Sequence, residues 1–82
     1  MKAIRMVEPG KPLELQQIPI PAAGAEDVLV RVRATGICHS DAHYRAGRSG
    51  MGILPITLGH EVAGEVEWVG ANVTSVKAGE RV

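Results

Sequence analysis

The sequence predicts a mainly β fold, a barrel or sandwich of short strands with one short helix. Ten Gly and five Pro residues among 82 interrupt the chain too often for long helices, and this spacing is typical of strands joined by tight turns. Two stretches also alternate between apolar and polar residues with the two-residue period of a strand. Hydrophobic residues make up 45% of the chain, so we expect residues 1–82 to belong to one small domain.

The strand predictions rest on apolar stretches that end at turn signals. The first stretch ends at a Pro-Gly turn, and the second ends before Pro19, which has no N–H to donate to a sheet. In the third, Val28, Val30 and Val32 fall on one face with the two-residue period. In the fourth, the same period predicts a common face for Val66 and Trp68. The predicted strands are residues 1–7, 13–18, 27–34 and 62–69.

One short helix is predicted between the third and fourth strands. Ser40 followed by Asp41 is a typical helix start, and Gly47 ends the helix after about Ala46. Residues 48–55, which follow, are predicted to form a flexible and partly apolar loop. Two residues at the end of the sequence, 81–82, resemble the start of another strand.

Composition and charge exclude several function classes. Nine basic and nine acidic side chains leave no net charge, and no basic patch indicates a nucleic-acid partner. No apolar stretch suits a signal peptide or a membrane span. With a single cysteine an intrachain disulfide is excluded, so we expect a cytoplasmic protein whose thiol is reduced.

The candidate functional residues cluster between positions 36 and 64. This stretch contains the one cysteine and all three histidines of the chain, together with two carboxylates. Sulfur, imidazole nitrogen and carboxylate oxygen are the ligands that Zn²⁺ takes in proteins. Taken singly, each residue also has an ordinary structural explanation, so the residues alone leave both interpretations open. The set comprises Cys38, His39, Asp41, His43, His60 and Glu61.

Two motifs decide between these interpretations. Residues 36–43 read G-I-C-H-S-D-x-H and residues 59–66 read G-H-E-x-A-G-x-V. In order and spacing both resemble the zinc-dependent alcohol dehydrogenases of the medium-chain dehydrogenase/reductase superfamily. The resemblance implies a partial GroES-like β-barrel with one short helix after Cys38. In that family this barrel carries the catalytic zinc.

The resemblance also implies roles at the metal. Cys38 and His60 match two of the three zinc ligands of the family. Glu61 matches a carboxylate that approaches the metal or replaces a ligand in some members. Asp41 matches the carboxylate that orients the ligand histidine.

Further roles concern the proton and the cofactor. Ser40 and His43 match the relay that carries the alcohol proton from the metal to solvent, and a hydroxyl–imidazole pair suits that task because histidine titrates near pH 6–7. His39 matches a position near the cofactor pyrophosphate. The implied cofactors are Zn²⁺ and NAD or NADP, and the implied substrate is an alcohol or polyol. A homo-oligomer is expected, without nucleic-acid or membrane partners.

The sequence lacks several parts of such an enzyme. No third sulfur or imidazole ligand follows His60, and the sequence has no Gly-x-Gly-x-x-Gly motif of a Rossmann domain. We therefore expect these 82 residues to be the N-terminal portion of a dehydrogenase, with an incomplete barrel and no activity in isolation. The alternative is a free-standing GroES-like β-barrel that acts as a binding or assembly module. Zinc-free quinone reductases are disfavoured because they lack the Cys and His ligands.

Overall fold

The computed structural model describes residues 1–48, 50 and 52–82, and it confirms a mainly β fold with one short helix after Cys38. The chain divides into two compact units, one of Met1–Ile20 with Ile37–His60 and one of Pro21–Gly36 with Glu61–Val82. Among the described residues no helix is long and apolar enough to span a membrane. The elements are β1 (Lys2–Met6), β2 (Glu14–Gln17), β3 (Val28–Thr35), α1 (His39–Arg45), β4 (Ile56–Thr57) and β5 (Val62–Val69).

The first unit contains a three-stranded antiparallel sheet in the order β2–β1–β4. Strands β1 and β2 form a hairpin in which Ile4 lies opposite Leu15, and Gly10 takes a positive φ of 79° in the connection. On the other side of β1, Met6 lies opposite Ile56. Met6 is fully buried, so it forms the centre of the core of this unit.

The second unit is built on the antiparallel pair β3–β5. Val66 is buried in this pair, and its N–H donates to the carbonyl of Glu80 at 2.8 Å. The chain end runs along the other edge of β5, where Gly64 and Val82 exchange two backbone hydrogen bonds of 2.9 and 3.0 Å. Arg81 forms an isolated bridge with Glu65, so residues 81–82 pair with β5 but form no strand of their own among the described residues. Among the described residues neither sheet closes into a barrel.

The face predicted for Trp68 is wrong. A register shift leaves Val66 opposite Val30 and Trp68 opposite Leu29. Because adjacent residues of a strand point to opposite faces, Val66 and Trp68 lie on opposite sides of the pair. Val66 is 2% exposed and Trp68 43%, as expected when an extra residue reverses the alternation.

The helix start was predicted two residues too late. The structure begins α1 at His39, and the N-cap is Cys38, with extended backbone angles, instead of Ser40. The Cys38 N–H donates to the carboxylate of Asp41 at 3.2 Å, which satisfies a donor that the helix leaves unpaired. The C-terminal boundary at Ala46 and the stop at Gly47 are confirmed.

The region after α1 holds a strand that the sequence did not predict. Strand β4 has only two residues, too few for a visible alternation, and it forms because β1 offers a partner edge. The predicted loop of residues 48–55 includes Ser49 and Met51, which lie outside the described residues. The other residues of that stretch contain neither helix nor strand.

Candidate metal and catalytic site

The start of α1 fixes three candidate residues close together. Cys38 is the N-cap, Ser40 lies in the first turn, and Asp41 occupies the third helical position. The Asp41 N–H donates to the Cys38 carbonyl at 3.0 Å, while the Asp41 carboxylate accepts from the Cys38 N–H. These reciprocal bonds hold the thiol, hydroxyl and carboxylate at one end of a rigid turn.

His60 lies beside this helix end. Its Nε2 is 3.4 Å from the Ser40 hydroxyl oxygen, and its Nδ1 is 3.7 Å from Oδ1 of Asp41. The Asp41 side chain is only 14% exposed, and its Oδ1 is buried with no hydrogen-bond partner among the described residues. A buried carboxylate oxygen facing an imidazole N–H position is the arrangement that fixes a ligand histidine in one tautomer.

The thiol of Cys38 and the imidazole of His60 form a donor pair. Their ligand atoms lie within 4.8 Å of each other. Two ligands of a tetrahedral zinc, at about 2.3 Å for sulfur and 2.0–2.1 Å for nitrogen, would lie about 3.6 Å apart. Hydrogen bonds from the Ser40 side chain, then from its backbone and from His60, lower the pKa of the Cys38 thiol. Since thiolate is the form that binds metal, donor type, spacing and electrostatics all fit Zn²⁺.

The other two histidines meet on the same helix. The rings of His39 and His43 pack edge to face, with centroids 4.8 Å apart and an interplanar angle of 88°. His43 lies three residues after Ser40, so both project from one side of α1. The relay role of Ser40 and His43 and the cofactor role of His39 stay predictions.

An open cavity of about 360 Å³ adjoins this site within the first unit. The residues that line it include Ser40 and His60, together with Tyr44, Thr57 and Leu58. None of these last three residues was predicted from the sequence to belong to the site. Tyr44 follows His43 on α1, and Thr57 lies on the two-residue strand β4, which is too short to show a pattern in the sequence.

Glu61 belongs to the second unit, where it begins the segment Glu61–Val82. Its carbonyl accepts a hydrogen bond of 2.7 Å from the N–H of Gly36, and its side chain is exposed. The structure thus brings Cys38, Ser40, Asp41 and His60 together in the first unit. The metal roles of Cys38, His60 and Glu61 stay predictions.

Comparison with known families and sequences gives a consistent result. The family model described as "Alcohol dehydrogenase GroES-like domain" matches residues 24–82. The NAD-dependent alcohol dehydrogenase of Sulfurisphaera tokodaii is 48% identical over 90 aligned positions, which cover 100% of this chain and 26% of that protein. The chain therefore spans about a quarter of the length of this curated relative.

Solved structures share the fold. The alcohol dehydrogenase of the hyperthermophilic archaeon Aeropyrum pernix superposes with a TM-score of 0.89 at 36% identity, over 99% of this chain and 25% of that one. A quinone oxidoreductase from Pseudomonas syringae superposes equally well, with a TM-score of 0.90 at 39% identity, over 98% of this chain and 25% of that one. Because the fold is common to differently named oxidoreductases, the reaction has to be argued from the site.

Proposed function

Because the chain belongs to the family of alcohol dehydrogenase GroES-like domains, we propose that it forms the N-terminal portion of a zinc-dependent alcohol dehydrogenase. Residues 1–82 contribute part of the GroES-like domain, and the whole protein oxidises an alcohol or polyol to a carbonyl compound with NAD or NADP as hydride acceptor. The observation that carries this proposal is the convergence of the Cys38 thiol and the His60 imidazole beside the buried carboxylate of Asp41. A structural scaffold has no need of that combination.

Cys38 and His60 would hold the zinc ion, and Glu61 is the candidate for a further ligand in this chain. Bound there, zinc supplies Lewis-acid chemistry, which lowers the pKa of an alcohol so that it ionises near neutral pH. Asp41 would accept a hydrogen bond from Nδ1 of His60 and so keep the ring in the ligand tautomer. Its Oδ1, without another partner among the described residues, is available for that bond.

Ser40 and His43 would move the alcohol proton. The Ser40 hydroxyl lies at the cavity next to His60, where it can accept the proton of a bound alcohol while it releases its own proton toward His43. His43, one helical turn further along α1, would pass that proton to solvent. His39 would lie near the cofactor pyrophosphate.

The cavity and the Cys38 thiol also suggest the substrate class and the compartment. The cavity is open and partly apolar in its lining, which suits a small alcohol or polyol. We propose a homo-oligomer in the cytoplasm, where a reducing environment keeps Cys38 available as a ligand.

A cobalt titration tests the proposed site without requiring activity. The reduced 82-residue chain should bind Co²⁺ and develop a thiolate-to-metal absorption band, because Co²⁺ takes the ligands of Zn²⁺ and a bound thiol is deprotonated. Cys38→Ser should abolish the band. His43→Gln should retain it, because His43 is assigned to proton transfer and not to the metal. A band that survives Cys38→Ser, or that is lost with His43→Gln, would contradict these assignments.

A further inference from the structure

Two histidines of α1 that the candidate zinc site does not use lie next to each other. His39 is the first residue of the helix and His43 the fifth. Residues four apart on a helix are neighbours on one face, with Cβ atoms about 5–6 Å apart, and the two rings are in contact. His39 is exposed and His43 is partly exposed, so an ion can reach the pair from solvent.

The separation of the two rings is the one that a shared metal ion requires. A metal–nitrogen bond is about 2.0–2.1 Å long and a ring nitrogen lies about 1.1 Å from its centroid, so two imidazoles at about 90–110° on one ion have centroids about 4.5–5.2 Å apart. The observed 4.8 Å lies within this range. The edge-to-face orientation, at 88°, has to change by rotation about χ2 for both nitrogens to face the ion. That rotation is easy, because χ2 of histidine has a broad preference.

The helix surface around the pair leaves room for an ion and its water ligands. The period of 3.6 residues places positions 42 and 46 on either side of the pair on the same face, and both are alanines. Arg45 lies two residues after His43, and residues two apart on a helix do not face each other. The positive charge of Arg45 therefore lies on another side of α1.

We propose that His39 and His43 form a second metal site, which takes one divalent transition-metal ion through one nitrogen of each ring. Two histidines at this spacing on one helix are a recurrent pair of Zn²⁺ ligands, and imidazole also suits Cu²⁺ and Ni²⁺. The site shares no ligand with the pair of Cys38 and His60, and it does not depend on the proposed function. Its occupancy excludes the relay role proposed for His43, because a ring nitrogen that binds a metal cannot also carry a proton.

Binding of Cu²⁺ to the Cys38→Ser chain tests the proposal. The substitution removes the thiol, which would otherwise bind or reduce Cu²⁺, and serine is a common N-cap, so α1 should form. Cu²⁺ is the probe because it binds such ligands more tightly than the other divalent first-row ions. One Cu²⁺ should bind per chain, with an electron paramagnetic resonance spectrum that shows superhyperfine splitting from two nitrogens.

Single substitutions in this background identify the two ligands. His39→Gln or His43→Gln should weaken Cu²⁺ binding at least about tenfold, since losing even a residue that supports a metal ligand typically costs about 10–100-fold. Glutamine is a good helix former, so α1 should be retained in both variants.

Two further variants in the same background control for the position of the histidines. His60→Gln should leave the Cu²⁺ affinity unchanged, because His60 belongs to the other candidate site. Adding Arg45→His to His43→Gln restores the number of histidines. It should not restore the affinity, because position 45 lies about 9 Å along the helix from His39 and about a third of a turn around it.

Four results would overturn the inference. They are unchanged affinity in both single variants, loss of binding in His60→Gln, recovery of affinity in the variant with both His43→Gln and Arg45→His, or a spectrum with a single nitrogen ligand. Each is independent of the cobalt–thiolate band of the wild type, which reports on Cys38. Failure of this inference and failure of the proposed function are therefore distinguishable.

Discussion

At the scale of single residues, the environment of Cys38 sets the pH range in which its thiol is ionised. Hydrogen bonds from Ser40, with a smaller contribution from His60, hold the thiol pKa below its usual value. The folded chain therefore favours thiolate. The associated stabilisation is present above the pKa of the unfolded thiol and is lost as the pH falls through the lower, folded pKa.

Alkylation of the metal-free chain tests this shift. The rate with iodoacetamide should reach half its maximum at a lower pH in the folded chain than in urea, because thiolate is the reactive form. Ser40→Ala should move the folded profile to higher pH. Ser75→Ala, at an exposed position outside the site, should not. Coincident profiles for the wild type and Ser40→Ala would contradict the assigned cause.

The residues of the site were found from sequence, but their geometry was not. The two motifs pointed to Cys38 and His60 across 21 intervening residues, a separation that fixes no distance. What brings them together is the packing of the first unit. The motifs also gave no reason to expect Cys38 itself as the N-cap, because Ser and Asp are the commoner caps and both lie within three residues after it.

At the scale of elements, strand β5 shows where periodicity fails. An alternating pattern assumes an uninterrupted ladder, and an extra residue reverses the faces beyond it. Glu67 stands at the register shift and forms an ion pair with Arg31 across the strands. Both side chains are about half exposed, so the pair adds about 0–1 kcal/mol. An ion pair this weak leaves no pattern in the sequence from which the register shift could be predicted.

Two valines of β5 provide a matched test of this description. Val66 is 2% exposed and Val62 is 52% exposed, although a simple alternation treats them alike. Val66→Ala should lower the free energy of unfolding by about 1–3 kcal/mol, because it removes two buried methyl groups. Val62→Ala should lower it by about 0.5 kcal/mol. Both changes carry a similar loss of strand propensity.

Urea unfolding followed by Trp68 fluorescence gives both values by linear extrapolation. Equal losses in the two variants would contradict the burial that the structure assigns to β5. The test compares the urea midpoints of the two variants. It needs only their order, so a very unstable Val66→Ala variant would still be informative.

At the scale of the whole molecule, the described residues bury few large apolar side chains. Met6 and Val66 are the two hydrophobic residues among them that are buried, whereas the chain as a whole is 45% hydrophobic. Many other large apolar side chains are exposed. They include Ile4, Leu15, Val32, Ile37, Ile53 and Val62.

Ile4 and Leu15 form the clearest exposed pair. They lie opposite each other in the β1–β2 hairpin, and they are 51% and 66% exposed. Paired apolar side chains on one face of a sheet attract a second apolar surface, and another copy of the same chain offers one. We therefore expect the 82-residue chain to self-associate in solution.

Sedimentation velocity over a range of concentrations tests this last expectation. The wild-type chain should show a sedimentation coefficient that rises with concentration, because association follows mass action. Leu15→Lys should shift the equilibrium toward monomer by placing a charge in the apolar pair. Glu14→Gln is the matched control: it changes the net charge by the same amount, but its neighbouring position points to the opposite face of β2. A concentration-independent monomer for the wild type, or equal effects of the two substitutions, would contradict association through this face.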